Sequence, residues 1–317
     1  METIFALSVT QNASDLHLSS GEKVIIRQNG KLINLTNDRL SSQELEKKLF
    51  AILTLEQLQQ IEEHKQVDFA YHHQKLGRFR GNIFYQKRGI SACFRVIRDE
   101  IYTLDEINAP EILKTLVMKK QGLIFITGAT GCGKSTTLAA MLEYVNRHQC
   151  KHILTLEDPI EFIYTNKLAL IQQREIGTHC NRFYDGLISM LRQDPDIIML
   201  GELRDKETVA AALQAAETGH LVLATLHTNS AIQTLNRIID LFPEQSKNFI
   251  CSQLANSLQA VISQQLITNI KGERKAIFEV LVNTPAVSNL ILQGKTKQLV
   301  SLMQTGSQHG MSLMDGE

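Results

Sequence analysis

The segment Gly128-Ala129-Thr130-Gly131-Cys132-Gly133-Lys134-Ser135 constrains this chain more than any other feature. It fits the pattern GxxxxGK[ST] and stands between an apolar run, Leu123 to Thr127, and a helix-compatible run, TTLAAMLEYVNRH, that begins at Thr136. A strand that passes through glycines into a helix is the architecture of a phosphate-binding loop. Glycine admits backbone angles that aim several N–H groups at one point, and the helix N-terminus adds the positive end of its dipole. In such a loop the residues from Gly128 to Thr136 cradle a nucleotide, Lys134 contacts the β- and γ-phosphates, and the Ser135 hydroxyl ligates Mg²⁺. The motif names a nucleoside triphosphate and not a reaction, since a small-molecule kinase or a GTPase shares it. Cys132 reads first as a small filler; the alternative is a thiol made reactive by the helix N-terminus.

The chain around this loop reads as two parts. At 317 residues it is long enough for two domains. In the first, to about Asp99, short β-like runs (DLHLS, VIIRQ, KLINL) are punctuated by Gly21 and by Asn29-Gly30, a hairpin turn signal. A helical stretch, SSQELEKKLFAILTLEQLQQIEEH, follows with Ser42 as candidate cap, and strands resume at VDFAYH, FRGNIFYQ and ISACFRVI. This predicts a smaller α+β domain over 1–99. A connector over 100–121, containing Pro110, leads to residues 122–317, where LIFIT, HILTL, DIIML and HLVLATL alternate with helical segments. Continuous apolar runs fit strands buried on both faces of a parallel sheet, which predicts a doubly wound α/β domain of the RecA type.

Three further segments of the second part read as pieces of one site. Glu157, Asp158 and Glu161 follow the strand HILTL, and carboxylates at the end of an apolar strand are costly unless a cation or an ordered water meets them. The strand DIIML runs into Gly201-Glu202-Leu203-Arg204, an apolar strand ending in an acid. Gly201 occupies the position where many P-loop proteins carry the Mg-binding Asp, so Ser135 and Glu202 are the expected metal ligands, partly through water. His220 and His227 bracket a third strand. They lie at its two ends and cannot chelate one ion, because a strand rises ~3.3 Å per residue. His227, at the expected carboxyl edge, is the candidate to sense the γ-phosphate; His220 is the candidate for an interface.

Together the P-loop, LTLEDPIEF, LRQDPDIIMLGELRD and AAETGHLVLATLHTNSA resemble the Walker A, Asp, Walker B and His boxes of the type II and IV secretion ATPases, in order and in spacing. ASDLHLSSG, RFRGNIFYQKRGISACFRVI and VISQQLI extend the resemblance to the type IV pilus retraction (PilT-like) branch over nearly the whole chain. The resemblance implies a PAS-like N-terminal domain joined to a RecA-like ATPase domain and assembled as a homo-hexamer that hydrolyses ATP with Mg²⁺. It implies Glu161 as the general base and Glu202 as the Walker B acid, with Glu157, Asp158, Arg204 and His220 in supporting places. It also implies a cytoplasmic motor, peripheral to the inner membrane and engaging a platform protein at the pilus base, with a hinge between Leu104 and Pro110. Where the branch has an AIRNLIRE-like segment, this chain reads Ala286 to Gln293, with Ser288, Leu292 and Gln293 replacing both arginines and the terminal glutamate. The sequence also stops soon after Met314-Asp315, earlier than the branch usually does.

From Phe69 to Ile97 there is no carboxylate, but there are Lys75, Arg78, Arg80, Lys87, Arg88 and Arg95, followed by Arg98. A hairpin turning at Lys87-Arg88 would set Arg80 opposite Arg95. Like charges so paired repel, and an anion between them relieves the repulsion. The resemblance supplies the γ-phosphate, with Arg80 and Arg95 as arginine fingers. A one-residue register slip would separate them, and a basic stretch also suits anionic lipid or nucleic acid.

Composition narrows the alternatives. Lys plus Arg equals Asp plus Glu, at 33 each, so global charge favours no polyanion. No aromatic-basic channel for single strands is evident, and nucleic acid is not an expected partner. No apolar run reaches bilayer length, and METIFALSVTQNASD does not read as a signal peptide. Five scattered cysteines without a CxxC pair suit reduced thiols better than a zinc site. Lacking the larger N-terminal region and tetracysteine element of extension ATPases, the chain reads as a retraction motor before an assembly ATPase. The altered segment at Ser288 to Gln293 motivates a third reading, a weakly catalytic ring subunit that regulates an active paralogue.

Overall fold

The structure, a computed structural model, describes residues 1–28, 30–97, 101–268 and 274–314, and it divides into two units, Met1–Glu100 and Ile101–Glu317. The first unit opens with α1 (Glu2–Thr10), β1 (Asp15–Ser19), β2 (Lys23–Gln28) and β3 (Lys31–Arg39). It continues with α2 (Ser42–Phe50), α3 (Leu55–His64), β4 (Gln66–His73), β5 (Gly77–Gln86) and β6 (Gly89–Ile97). The strands form an antiparallel sheet in the order β3-β2-β1-β6-β5-β4. Alternation buries Leu16, Leu18, Val24, Ile26, Phe79, Ile83 and Phe94 against Phe5 of α1, Leu45 and Leu49 of α2 and Ile61 of α3. At Gly81 a β-carbon would lie 2.7 Å from the Phe69 ring and 2.8 Å from Phe94, so only glycine fits between these rings.

The helical stretch expected after β3 forms two helices. Thr54 and Gln57 form a capping box that starts α3 afresh, and Ser41, not Ser42, caps α2 by accepting the Glu44 N–H. Ser42 instead meets the Ser20 hydroxyl at 3.3 Å. Of the expected Asn29-Gly30 turn, Asn29 lies outside the described residues, while Gly30 has φ 82° and Gln28 pairs with Lys31 across it. Arg98, Asp99 and Asp315 also lie outside them.

The second unit takes in residues from Ile101 onward, and Leu104, Leu113, Leu116 and Val117 are part of its core. Its elements are α4 (Ile112–Val117), β7 (Gly122–Thr127), α5 (Lys134–His148), β8 (His152–Glu157), β9 (Leu170–Glu175) and α6 (Phe183–Met190). Then come β10 (Ile197–Leu200), α7 (Lys206–Glu217), β11 (Leu221–Leu226), α8 (Ala231–Asp240) and α9 (Glu244–Ser257). The unit ends with β12 (Leu258–Thr268), β13 (Arg274–Val282), α10 (Pro285–Leu292) and α11 (Leu299–Thr305). The sheet order is β13-β12-β7-β11-β10-β8-β9, parallel except for β13, which returns antiparallel to β12. Every residue of β7, β10 and β11 is buried, because α4 and α5 cover one face and α6 to α11 the other. Register aligns Thr127 with Leu226, and Ala224 with Leu200 and Leu156. The carboxyl ends of β7, β11, β10 and β8 therefore share one edge, where open α/β sheets bind ligands. Among the described residues no helix is long and apolar enough to cross a membrane.

Candidate nucleotide site

The loop after β7 is shaped by three glycines with positive φ: Gly128 at 145°, Gly131 at 80° and Gly133 at 92°. At Gly128 a β-carbon would lie 2.3 Å from the Gln264 carbonyl oxygen, so the loop can start only where no side chain intervenes. The buried Cys132 Sγ fills the space beside it, which is the filler reading of that residue. Lys134 opens α5 and its Nζ donates to the carbonyls of Gly128 (2.8 Å) and Ala129 (3.0 Å). Burial pushes the Lys134 ammonium down, and the Glu161 and Glu202 charges oppose that shift. Glu161 and Glu202, far from Lys134 in sequence, thus act on it at one sheet edge.

Glu157 ends β8 and is 6% exposed. Its Oε1 accepts from the Thr155 hydroxyl at 2.7 Å and from Gln173 Nε2 at 3.2 Å, and its carboxylate also accepts the Glu161 backbone N–H. Burial raises the Glu157 carboxyl to about 7, against the pull of these hydrogen bonds and with a further push from the Glu161 charge. Glu157 thereby pins the turn that carries Glu161, whose own side chain, like that of Asp158, is exposed. The Asp158–Pro159 peptide within this turn is cis.

On the next strand, the Gly201 N–H donates to the Leu156 carbonyl at 2.7 Å. A β-carbon at Gly201 would lie 3.2 Å from Glu157 Cα and 3.3 Å from the Leu156 oxygen. A side chain there would press on the β8 backbone more tightly than side chains ordinarily pack, so β8 would have to yield by a few tenths of an ångström to admit an aspartate. The acid falls on Glu202, which is buried. One of its oxygens pairs with Arg204 and the other faces His227 Nε2 at 3.5 Å. The Glu202 hydrogen bond, with the Glu202 and Asp158 charges, holds the Arg204 guanidinium above its ordinary range. His220, at the opposite end of β11, bonds through Nδ1 to the Ala215 carbonyl at 3.0 Å and fastens β11 to α7. The two histidines are thus parted along the strand, and only His227 stands at the carboxyl edge.

The residues present fit a magnesium-bound triphosphate. The donors are hard oxygens, the Ser135 hydroxyl in the first turn of α5 and the Glu202 carboxylate. Mg²⁺ accepts such a sparse protein set, because it keeps several waters and takes phosphate oxygens for the rest. Thr136 follows on the same turn, and Thr130 and Gly131 form the exposed rim of the loop.

In the first unit the β5–β6 hairpin pairs Arg80 directly with Arg95, and Gln86 with Gly89 across the Lys87-Arg88 turn. The row extends into β1, where Asp15 pairs with Arg95 and its Oδ1 meets Arg95 Nε at 3.1 Å. The anion that relieves Arg95 is thus supplied within the unit, which the charge count over 69–97 could not reveal because Asp15 lies on another strand. The sequence reading did not single out Gln264 as a site residue; its one sequence signal is a polar stretch, Ser263-Gln264-Gln265, inside the otherwise apolar run VISQQLI.

Fold and site define a P-loop nucleoside-triphosphatase. The chain belongs to the Type II/IV secretion system protein family, whose model matches residues 2–309. It is 50% identical over 98% of its length to the uncharacterized protein YggR of Escherichia coli K12, covering 94% of that protein. It is 45% identical over 98% of its length to the type IV pilus retraction ATPase PilT of Pseudomonas aeruginosa, covering 91% of it. The crystal structure of the pilus retraction motor PilT with bound ADP superposes with a TM-score of 0.91 at 40% identity, over 98% of this chain and 89% of that one.

Proposed function

We propose that this protein is a homo-hexameric, Mg-dependent ATPase motor that powers retraction of type IV pili and hence twitching motility. The observation that carries the reading is that Lys134, Glu161 and Glu202 follow β7, β8 and β10, parallel strands whose carboxyl ends share one edge, in a chain so similar to a pilus retraction ATPase. Bound Mg²⁺ would supply charge neutralisation at the phosphates. Lys134 and the N–H groups of 128–136 bind and orient the triphosphate, and Ser135 and Glu202 hold the metal. Glu161, steadied from below by Glu157, takes the proton of the attacking water. His227 reports the state of the γ-phosphate to Glu202. Arg80 serves as an arginine finger, while Arg95, expected beside it in that role, is paired with Asp15. Differential affinity for ATP and ADP drives rearrangement of the two units through the connector over 100–121. The motor works in the cytoplasm at the inner face of the inner membrane, on a platform protein there.

A knockout strain tests this reading: excess surface pili with lost twitching is expected, and loss of pili would instead indicate an assembly ATPase. A second reading, an accessory ring subunit acting on a paralogous ATPase, is favoured by α10. Ser288, where the retraction branch carries arginine, turns inward and donates to the Ala255 carbonyl at 2.6 Å, while Gln293 bonds Asn289 on its own helix. A low ATPase rate insensitive to Glu161→Ala would decide for that reading.

A further inference from the structure

Gln264 lies behind the phosphate loop on β12, one residue past the Ser263–Thr127 pair, and is 2% exposed. Its amide makes two buried hydrogen bonds, one with the nucleotide loop and one with α5. Nε2 donates to the Cys132 carbonyl at 2.8 Å, and Oε1 accepts from the Thr137 hydroxyl at 2.7 Å. One neutral side chain thus joins the loop to the first turn of α5. The fit around it is close: Gly128 packs on the Gln264 backbone, and a β-carbon at Gly133 would lie 3.0 Å from Nε2. Next to it, the Ser263 and Thr127 hydroxyls are 2.9 Å apart and tie β12 to the end of β7.

The consequence follows from peptide geometry. The Cys132–Gly133 peptide is trans, so its C=O and N–H point in opposite directions. Holding the Cys132 oxygen toward β12 turns the Gly133 N–H away from β12. Without that acceptor bond the peptide plane would be free to rotate, because glycine at 133 imposes little restraint of its own.

We infer that Gln264 is a positioning residue for the nucleotide: its amide fixes the Cys132–Gly133 peptide so that the Gly133 N–H is presented to a phosphate oxygen. It touches no reacting atom and acts through the loop. This rests on the P-loop reading of the site and goes beyond it by naming what holds the loop in its binding shape.

The test uses the full chain and ADP as probe, with affinity measured by calorimetry at pH 8 and hydrogen exchange of the 128–136 peptide measured without nucleotide. Gln264→Met keeps the size and removes both bonds. Gln264→Glu keeps an acceptor for Thr137 but, ionised, has no donor for Cys132. Both should raise the ADP Kd by ~10-fold, the scale of one buried hydrogen bond, and speed exchange in the loop. KM for ATP should rise by a similar factor, with saturating kcat within about threefold of wild type. Thr137→Val, which spares the Cys132 bond, should weaken ADP less than either. If Gln264→Met fails to fold, Gln264→Glu decides alone. ADP affinity within twofold of wild type in Gln264→Glu, or a loss confined to kcat, overturns the inference. If wild type itself binds no ADP, the nucleotide reading of the site fails with it.

Discussion

At the tips of neighbouring strands, the Glu202 carboxylate faces His227 Nε2 at 3.5 Å while its other oxygen is taken by Arg204. The two partners differ in setting. Arg204 is 69% exposed, and an ion pair with so exposed a partner contributes little stability. Its role is then to aim the carboxylate. Arg204→Ala is expected to leave the melting temperature within a few degrees and to lower turnover by no more than ~10-fold. Glu202→Gln, which removes the acid itself, should lower turnover by ~10²-fold or more. Steady-state ATPase rates on the two variants check this, and equal losses would argue against an aiming role for Arg204.

Glu157 gives stability a pH dependence of definite sign. Its carboxyl is raised from 4.5 to about 7 on folding, so the native state binds more protons than the unfolded state between these values. The contribution is complete below the unfolded pKa and is lost as pH rises through the folded one. Glu157→Gln, which cannot ionise, should therefore gain stability relative to wild type as pH climbs from 4.5 to 7, by a total on the order of a few kcal/mol. Melting temperatures of both proteins across that range provide the measurement. Parallel curves would contradict it.

Gly201 predicts a cost for restoring the more usual acid. With the β8 backbone 3.2 Å from a β-carbon at 201, Gly201→Ala should destabilise by about 1–3 kcal/mol, and Gly201→Asp by at least as much. The melting temperature should drop in both, and ATP KM should rise because the displaced segment carries Glu157 and the Glu161 turn. A neutral or stabilising Gly201→Asp would show that β8 yields more easily than its packing indicates.

Arg80 and Arg95 are paired across the hairpin, but only Arg95 has Asp15 against it. Arg80 is thus the arginine of the two left to meet an external anion. Arg80→Ala is expected to reduce turnover by ~10³-fold, with ADP affinity within about threefold and assembly state unchanged. Unchanged turnover excludes the arginine from phosphate chemistry.

Much of this was legible along the chain because the signals are local. Glycine spacing, an apolar run before it and a helical run after it mark the loop at Gly128 to Ser135 without any knowledge of neighbours. The Arg80–Arg95 register follows from a short turn between two strands. The position of His227 at the working edge follows from its place after a buried strand. The break at Thr54 was not singled out in the sequence, although Thr54 and Gln57 have the spacing of a capping box.

By itself, then, the amino-acid order determined the elements, the glycine cradle and the candidate acids, since these depend on residues within a turn or a strand of one another. Only the folded sheet decided which of those acids is buried and which is free. It set Glu157 beneath the Glu161 turn, crowded position 201 against the β8 backbone, and gave Arg95 to Asp15. It also brought Gln264 against Cys132, 132 residues away, because β12 docks beside β7. Strand order is settled by which apolar faces bury one another, and no spacing along the chain encodes that partnership.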